Sequence, residues 1–221
     1  MPITSAPRCP RSGSKKPGKP SLSNGSINVK EIAGLKIYIF VSHAHSDHYD
    51  PGILDWKKSL DTVIYIFGWK TTDDSTHICF GDKREIKKVN RLEIANIHHR
   101  FDGIPESAFL VKVDGLVIFF AGDHGHSQGR KNEEFKSNIE YMAGLSRGID
   151  LVFTPTFGGE FDTIEILSPK VVIPMHDGGH EHQYRKFADK VKRRGIKVKV
   201  GVAQKRGDCF LYKKGKIKSI K

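Results

Sequence analysis

The sequence predicts a layered α/β domain behind a short basic tail. Short apolar runs of strand length recur from residue 35 onward, helix-period segments fall between them, and residues 1–28 hold almost no large apolar group. At 221 residues the chain can bury one good core and is too short to divide with assurance into two. The expected organisation is a tail over residues 1–28 and one domain over residues 29–221.

Taken in order, "MPITSAPRCPRSGSKKPGKPSLSNGSIN" is rich in Pro, Ser, Gly and Lys and cannot offset its ordering entropy by burial, so it is expected to be disordered. "LKIYIFV" (35–41) reads as a buried strand. "PGILDWKKSL" (51–60) reads as a helix with proline in its first turn, and "TVIYIF" (62–67) as a second strand. Strand candidates follow at 77–80, 91–97, 107–113 and 116–120, the last two joined by the Asp-Gly turn of "VDGL". Phe135, Ile139 and Met142 mark a helix over 133–146. "DLVFT" (150–154) and "KVVIPM" (170–175) are strands flanking a short helical "FDTIEIL". Tyr184, Phe187, Ala188 and Val191 give a late amphipathic helix before a terminal strand and hairpin, and no internal repeat is seen.

Composition narrows the setting. The longest apolar run, "LVIFFAG" (116–122), is far short of the roughly 20 residues a spanning helix requires, so no membrane segment is expected. Cys9, Cys79 and Cys209 are odd in number and form no CxxC pair, which argues against a disulfide framework or a cysteine zinc site. With no signal-peptide pattern at the start, the expected location is the cytoplasm. The formal charge of +12 is uneven: residues 181–221 carry fifteen Lys/Arg against three acids, whereas residues 31–180 carry sixteen against twenty-two. A basic C-terminal region of this kind either keeps a protein in solution or holds a polyanion such as RNA.

The chemistry is concentrated in "SHAHSDH" (42–48), which follows the first strand. His43 and His45 are two residues apart, so on extended chain their rings point the same way, and Asp47 and His48 arrive as the chain turns. Imidazole and carboxylate without thiolate is the donor set of zinc and its first-row neighbours. A structural role would have to find partners for four crowded polar groups, each costing about 1–3 kcal/mol if buried unpaired.

This H-x-H-x-D-H pattern resembles the signature of the metallo-β-lactamase superfamily. "YDPGILDW", "LVIFFAGDHG", "FTPTFGGE" and "SPKVVIPMHDG" resemble further segments of that superfamily in the same order, and the nearest branch by these segments is the ascorbate-phosphate-lactonase-like one. The resemblance implies an αββα sandwich and two divalent ions, zinc foremost with manganese or iron as alternatives. It implies that His43, His45 and His99 hold one ion, that Asp47, His48 and His176 hold the other, and that Asp123 bridges both. In "NIHHRF" the ligand is His99 or its neighbour His98; His99 lies nearer the following strand, as in the superfamily pattern. Asp47 and His48 are the implied catalytic pair. His124 and His126 fall on the loop expected to face the ions, while His77, His180 and His182 read as ordinary histidines.

The resemblance spans about residues 30–205 and lacks the first strands of one sheet. An open sheet edge is therefore expected, inviting a homodimer, whether the chain is a fragment or a variant whose edge a partner covers. The implied activity is hydrolysis of an ester, lactone or phosphoester of a small molecule by a metal-bound hydroxide. The alternatives are a ribonuclease or phosphodiesterase using the basic C-terminal region, and a truncated metal-binding protein without activity.

Overall fold

The computed structural model describes residues 19–70, 77–101, 103–125, 132–176 and 179–220. Three strands, β1 (Lys36–Val41), β2 (Thr62–Phe67) and β3 (His77–Cys79), form a parallel sheet in the order β1-β2-β3. The larger sheet holds β4 (Ile86–Val89), β5 (Leu92–Phe101), β6 (Ile104–Val113), β7 (Leu116–Phe120), β8 (Leu151–Pro155), β9 (Val171–Met175) and β10 (Lys199–Val200). Its order is β10-β9-β8-β7-β6-β5-β4, antiparallel from β4 to β7 and parallel from β7 to β10. Strands β11 (Cys209–Lys213) and β12 (Lys216–Ile220) form a separate hairpin. The helices are α1 (Asn132–Leu145), α2 (Glu160–Leu167) and α3 (His182–Arg193).

The period-two alternation of the strands builds four layers. Tyr38, Phe40, Ile64 and Ile66 face inward and meet Leu92, Ile94, Phe109 and Val111 of the larger sheet, with Phe40 and Phe80 each edge-on to Phe109 at 5.5 Å. Ile39, Val41, Val63, Tyr65 and Phe67 face outward beneath residues 51–58. The other face of the larger sheet, with Ala95, Ile97, Ala108, Leu110 and Phe119, packs on Phe135, Ile139 and Met142 of α1, Ile164 and Leu167 of α2, and Phe187 and Val191 of α3. The apolar runs were continuous because both faces of these strands are covered.

The segment 51–58 is a 3-10 helix rather than an α-helix. The hydroxyl of buried Tyr65 donates to the carbonyls of Ile53 and Leu54 at 2.8 and 3.3 Å, engaging two acceptors that an α-helix would offer to its own next turn. β4, with Lys87 and Lys88 at its centre, gave no apolar run and was not expected. Residues 19–28, assigned to the tail by composition, carry a capped turn: Ser21 donates to Glu31 at 2.9 Å, and Gly25 lies against Gly207. Residues 1–18 lie outside the described residues. β1 has β2 on one side and no strand on the other among the described residues. No helix among them is long and apolar enough to cross a membrane.

Candidate metal centre

The two sheets are joined where the site lies. At the end of β1 the Ser42 carbonyl accepts from Ser107 N–H of β6 at 3.0 Å, and the Val41 carbonyl accepts from Gly68 N–H after β2 at 2.8 Å. The Ser107 hydroxyl donates to the Gly68 carbonyl at 2.9 Å. The junction tolerates no side chain at Gly68, where a Cβ would stand 2.2 Å from the Ser42 oxygen. Gly122, at the end of β7, is held at φ +58° with its Cβ position 2.6 Å from Ser42 Cβ, so both its conformation and its surroundings call for glycine. The Gly-Asp segment can thus pass close to β1 and deliver Asp123 to the histidine loop.

Beyond Ser42 the chain turns, with the His45 carbonyl accepting from His48 and Tyr49 N–H at 2.9 and 2.8 Å. The turn folds the cluster on itself: the His43 ring lies 4.7 Å from that of His45 and 4.1 Å from that of His48. His176 comes from the end of β9 with φ +62°, a left-handed conformation that costs a non-glycine residue about 1–3 kcal/mol and is typical of functional positions. Its ring stacks 5.2 Å from His48.

Asp123 is the centre of the arrangement. One carboxylate oxygen lies 3.2 Å from His48 Nε2 and 3.3 Å from His176 Nε2, and the other 3.8 Å from His43 Nε2. Asp47 stands 3.8 Å from both His48 Nε2 and His176 Nε2. Two donors on one ion with bonds of about 2.1 Å are separated by roughly 3.0–3.4 Å, depending on geometry, so the 3.2 and 3.3 Å spacings fit a shared ion and the 3.8 Å spacings lie a few tenths of an ångström beyond it. Three ligand groups emerge, in each of which the donor atoms lie within 4.8 Å of one another: His43, His45 and Glu106; His43, His48 and Asp123; and Asp47, His48 and His176.

His43 and Asp123 are in a suitable state to bind cations, whereas His48 is held toward its protonated form. His43 Nδ1 is 3.0 Å from Ser42 Oγ, so the tautomer that donates there turns the Nε2 lone pair toward Glu106 and Asp123. Nε2 of His43 and of His176 are buried and make no hydrogen bond, as expected of atoms that receive an ion. Burial first, then the neighbouring His48, hold the His43 pKa down at about 4, so the ring is neutral at physiological pH. For His48, burial acts downward, but contact with Asp123 and the charge of Asp47 outweigh it and raise the pKa above the ordinary value. Burial likewise opposes ionisation of Asp123, yet His48, His176 and His43 keep its carboxyl below the usual range.

Of the residues singled out in the sequence, His43, His45, Asp47, His48, Asp123 and His176 share this cluster. His99 is buried beside it, with Nε2 on Glu106 and Nδ1 2.9 Å from His124 Nδ1. His98 points elsewhere, 3.8 Å from Asp82, as strand alternation requires. His124 stacks on Phe135 with centroids 5.0 Å apart. His126 lies outside the described residues. His77 packs beside Tyr65 and Phe67 in the small sheet, and His180 and His182 stack on each other at the start of α3. Glu106 was not singled out, although a glutamate inside "IPESAFLV" was a signal, since a fully buried carboxylate needs a partner.

The sequence model described as "Beta-lactamase superfamily domain" matches residues 26–176, more than half of the chain. The chain belongs to this family. It is 26% identical over 174 residues to a UPF0173 metal-dependent hydrolase of Caldivirga maquilingensis, covering 69% of each chain. A UPF0173 metal-dependent hydrolase of Pyrococcus furiosus is 29% identical over 160 residues, covering 62% of this chain and 65% of the relative. The chain spans about two thirds of the length of these relatives. The fold matches that of the metallo-beta-lactamase fold protein YhfI from Bacillus subtilis with a TM-score of 0.53 and 14% identity, over 79% of this chain and 77% of that one.

Proposed function

We propose that this protein is a metal-dependent hydrolase whose strand ends hold two divalent ions, and that it cleaves ester, lactone or phosphoester bonds of small molecules. The observation that carries the proposal is the convergence of His43 and His48, from the end of β1, and His176, from the end of β9, on Asp123 beyond β7, with nitrogen–oxygen spacings of 3.2, 3.3 and 3.8 Å. His43 and His45 would hold the first ion, Asp47, His48 and His176 the second, with Asp123 between them. Divalent ions of this kind, zinc foremost, bring a water to nucleophilic strength near neutral pH and polarise the oxygen of the scissile group. The chain's own residues do the rest. Ser42 orients the His43 ring, and Asp123 fixes His48 and His176 relative to one another. Asp47, the most exposed carboxylate of the cluster, is the group best placed to meet a proton at the solvent side. Phe157, partly exposed and edge-on to His176 at 5.1 Å, gives the mouth of the site an apolar wall suited to a small organic substrate.

A phosphodiester substrate is the second reading, favoured by one feature. Lys186 and Lys190 of α3 line a cleft with Glu160 and with Thr156, the neighbour of Phe157, so two positive charges against one negative adjoin the loop that walls the site. The test is turnover of a panel of aryl esters, lactones and phosphodiesters by the metal-loaded protein, with Asp123→Asn as control. Hydrolysis of esters or lactones that the variant lacks supports the first reading. Turnover confined to phosphodiesters, with binding that weakens steeply as salt rises, supports the second. No turnover in any class by protein carrying its ions would overturn both and leave a metal-binding protein without activity.

A further inference from the structure

We infer that Glu106 is itself a ligand of the first ion, in the position that the sequence resemblance gives to His99, and that His99 acts on the carboxylate from behind. The inference rests on the metal-dependent reading above. Three observations carry it.

The first is grouping. His43, His45 and Glu106 each offer a donor atom within 4.8 Å of the others, and no such group among the described residues includes His99. The second is distance. Glu106 Oε1 stands 3.6 Å from His43 Nε2, which is too long for a hydrogen bond and near the roughly 3.4 Å between two donors on one tetrahedral ion with bonds of about 2.1 Å. The third is what His99 already does. Its Nε2 engages the other carboxylate oxygen of Glu106, and its Nδ1 lies 2.9 Å from His124 Nδ1, so both ring nitrogens are committed.

The fold explains why these side chains can play those parts. His99 and Glu106 are directly opposite in the β5–β6 ladder, so both project from the same face of the sheet. Glu106 precedes Ser107, whose N–H holds the Ser42 carbonyl, and Ser42 in turn orients His43. The carboxylate and the first imidazole are therefore fixed by one backbone junction. Glu106 has no exposed surface, and a divalent ion supplies the positive charge that a carboxylate buried among imidazoles requires. The pair of His99 behind Glu106, with His124 behind His99, repeats in reverse the carboxylate-histidine arrangement that commonly backs a metal ligand. Each ion then has two imidazoles and one carboxylate of its own, with Asp123 shared.

The experiment uses the full chain, stripped of metal with a chelator and titrated with Co2+ against a chromophoric competitor, for wild type, Glu106→Gln and His99→Gln. Thermal unfolding of each variant is recorded in parallel. The expected result is two ions in wild type, loss of the first ion or at least a hundredfold weaker binding in Glu106→Gln, and a loss of about tenfold in His99→Gln, as for residues that back a ligand. Full two-ion binding by Glu106→Gln together with an empty first site in His99→Gln would overturn the inference while leaving the metal-dependent reading intact. Wild type that binds no ion would overturn the metal-dependent reading itself. Because Glu106→Gln places an amide in a buried site, the deciding measurement if that variant unfolds is a crystal structure of zinc-loaded wild type. Glu106 Oε1 at about 2.0–2.2 Å from an ion supports the inference, and His99 Nε2 at that distance refutes it.

Discussion

Replacing Gly68 by alanine tests whether the junction between the sheets builds the site. Gly68 follows β2, and an added Cβ would sit 2.2 Å from the Ser42 carbonyl oxygen and 2.8 Å from Ser107 Cβ. The first contact is more than about 1 Å inside ordinary van der Waals range, and the atom it meets is backbone, so the end of β1 has to move. Such crowding costs about 1–3 kcal/mol by itself. The shift also breaks the 3.0 Å bond from Ser107 N–H to Ser42, leaving a buried donor unpaired at a further cost of about 1–3 kcal/mol. Gly68→Ala should therefore destabilise the protein by about 2–6 kcal/mol, much of the total stability of a typical domain. Because Ser42 carries His43 with it, metal content should fall as well. Urea unfolding of the metal-free protein measures the first effect as a lower midpoint at unchanged slope, and elemental analysis the second. Gly144→Ala is the control: nothing lies within 4 Å of that position in α1, and alanine there should gain about 0.5–1 kcal/mol from helix propensity. A Gly68→Ala protein within about 0.5 kcal/mol of wild type and with full metal content would refute the junction argument.

Other perturbations have equally definite outcomes. His176→Gly removes a ligand and a positive-φ side chain at once, so the metal-free variant should be about 1 kcal/mol more stable in urea yet bind fewer ions; a less stable variant with normal metal content would contradict this. Asp150 is buried, which opposes its ionisation, but bonds from Lys170, Tyr212 and Val117 N–H outweigh this and lower its pKa. Its contribution to stability is thus present above the ordinary aspartate pKa and lost as pH falls through the lowered one; Asp150→Asn should flatten the stability profile in that acid range, and an unchanged profile would count against it. Metal affinity should rise with pH through the range just above the ordinary histidine value, since His48 must release the proton that Asp123 helps it hold; a flat titration by competition with a chelator would contradict that assignment.

Much of the architecture was legible because buried parallel strands write themselves as unbroken apolar runs. Tyr38 and Phe40 face one layer while Ile39 and Val41 face another, so "IYIFV" contains no polar position to obscure it. The histidine loop was legible for a different reason: four donors fell within six residues. Glu106 was not, because it meets His43 through the register of β5 with β6 and the junction at Ser42, and neither is a property of local sequence. β4 was hidden by its lysines, and the 3-10 form of residues 51–58 depends on a tyrosine hydroxyl from β2. The turn at residues 21–25 was hidden by composition, since its order comes from Glu31 and from the distant Gly207.

The central claim is that strand ends of both sheets assemble a two-ion centre around Asp123. Elemental analysis of the purified protein, beside His45→Ala and Asp123→Ala, tests it most directly. About two ions per wild-type chain, and fewer in both variants, are expected. Well-folded wild-type protein carrying less than about half an ion per chain would contradict it.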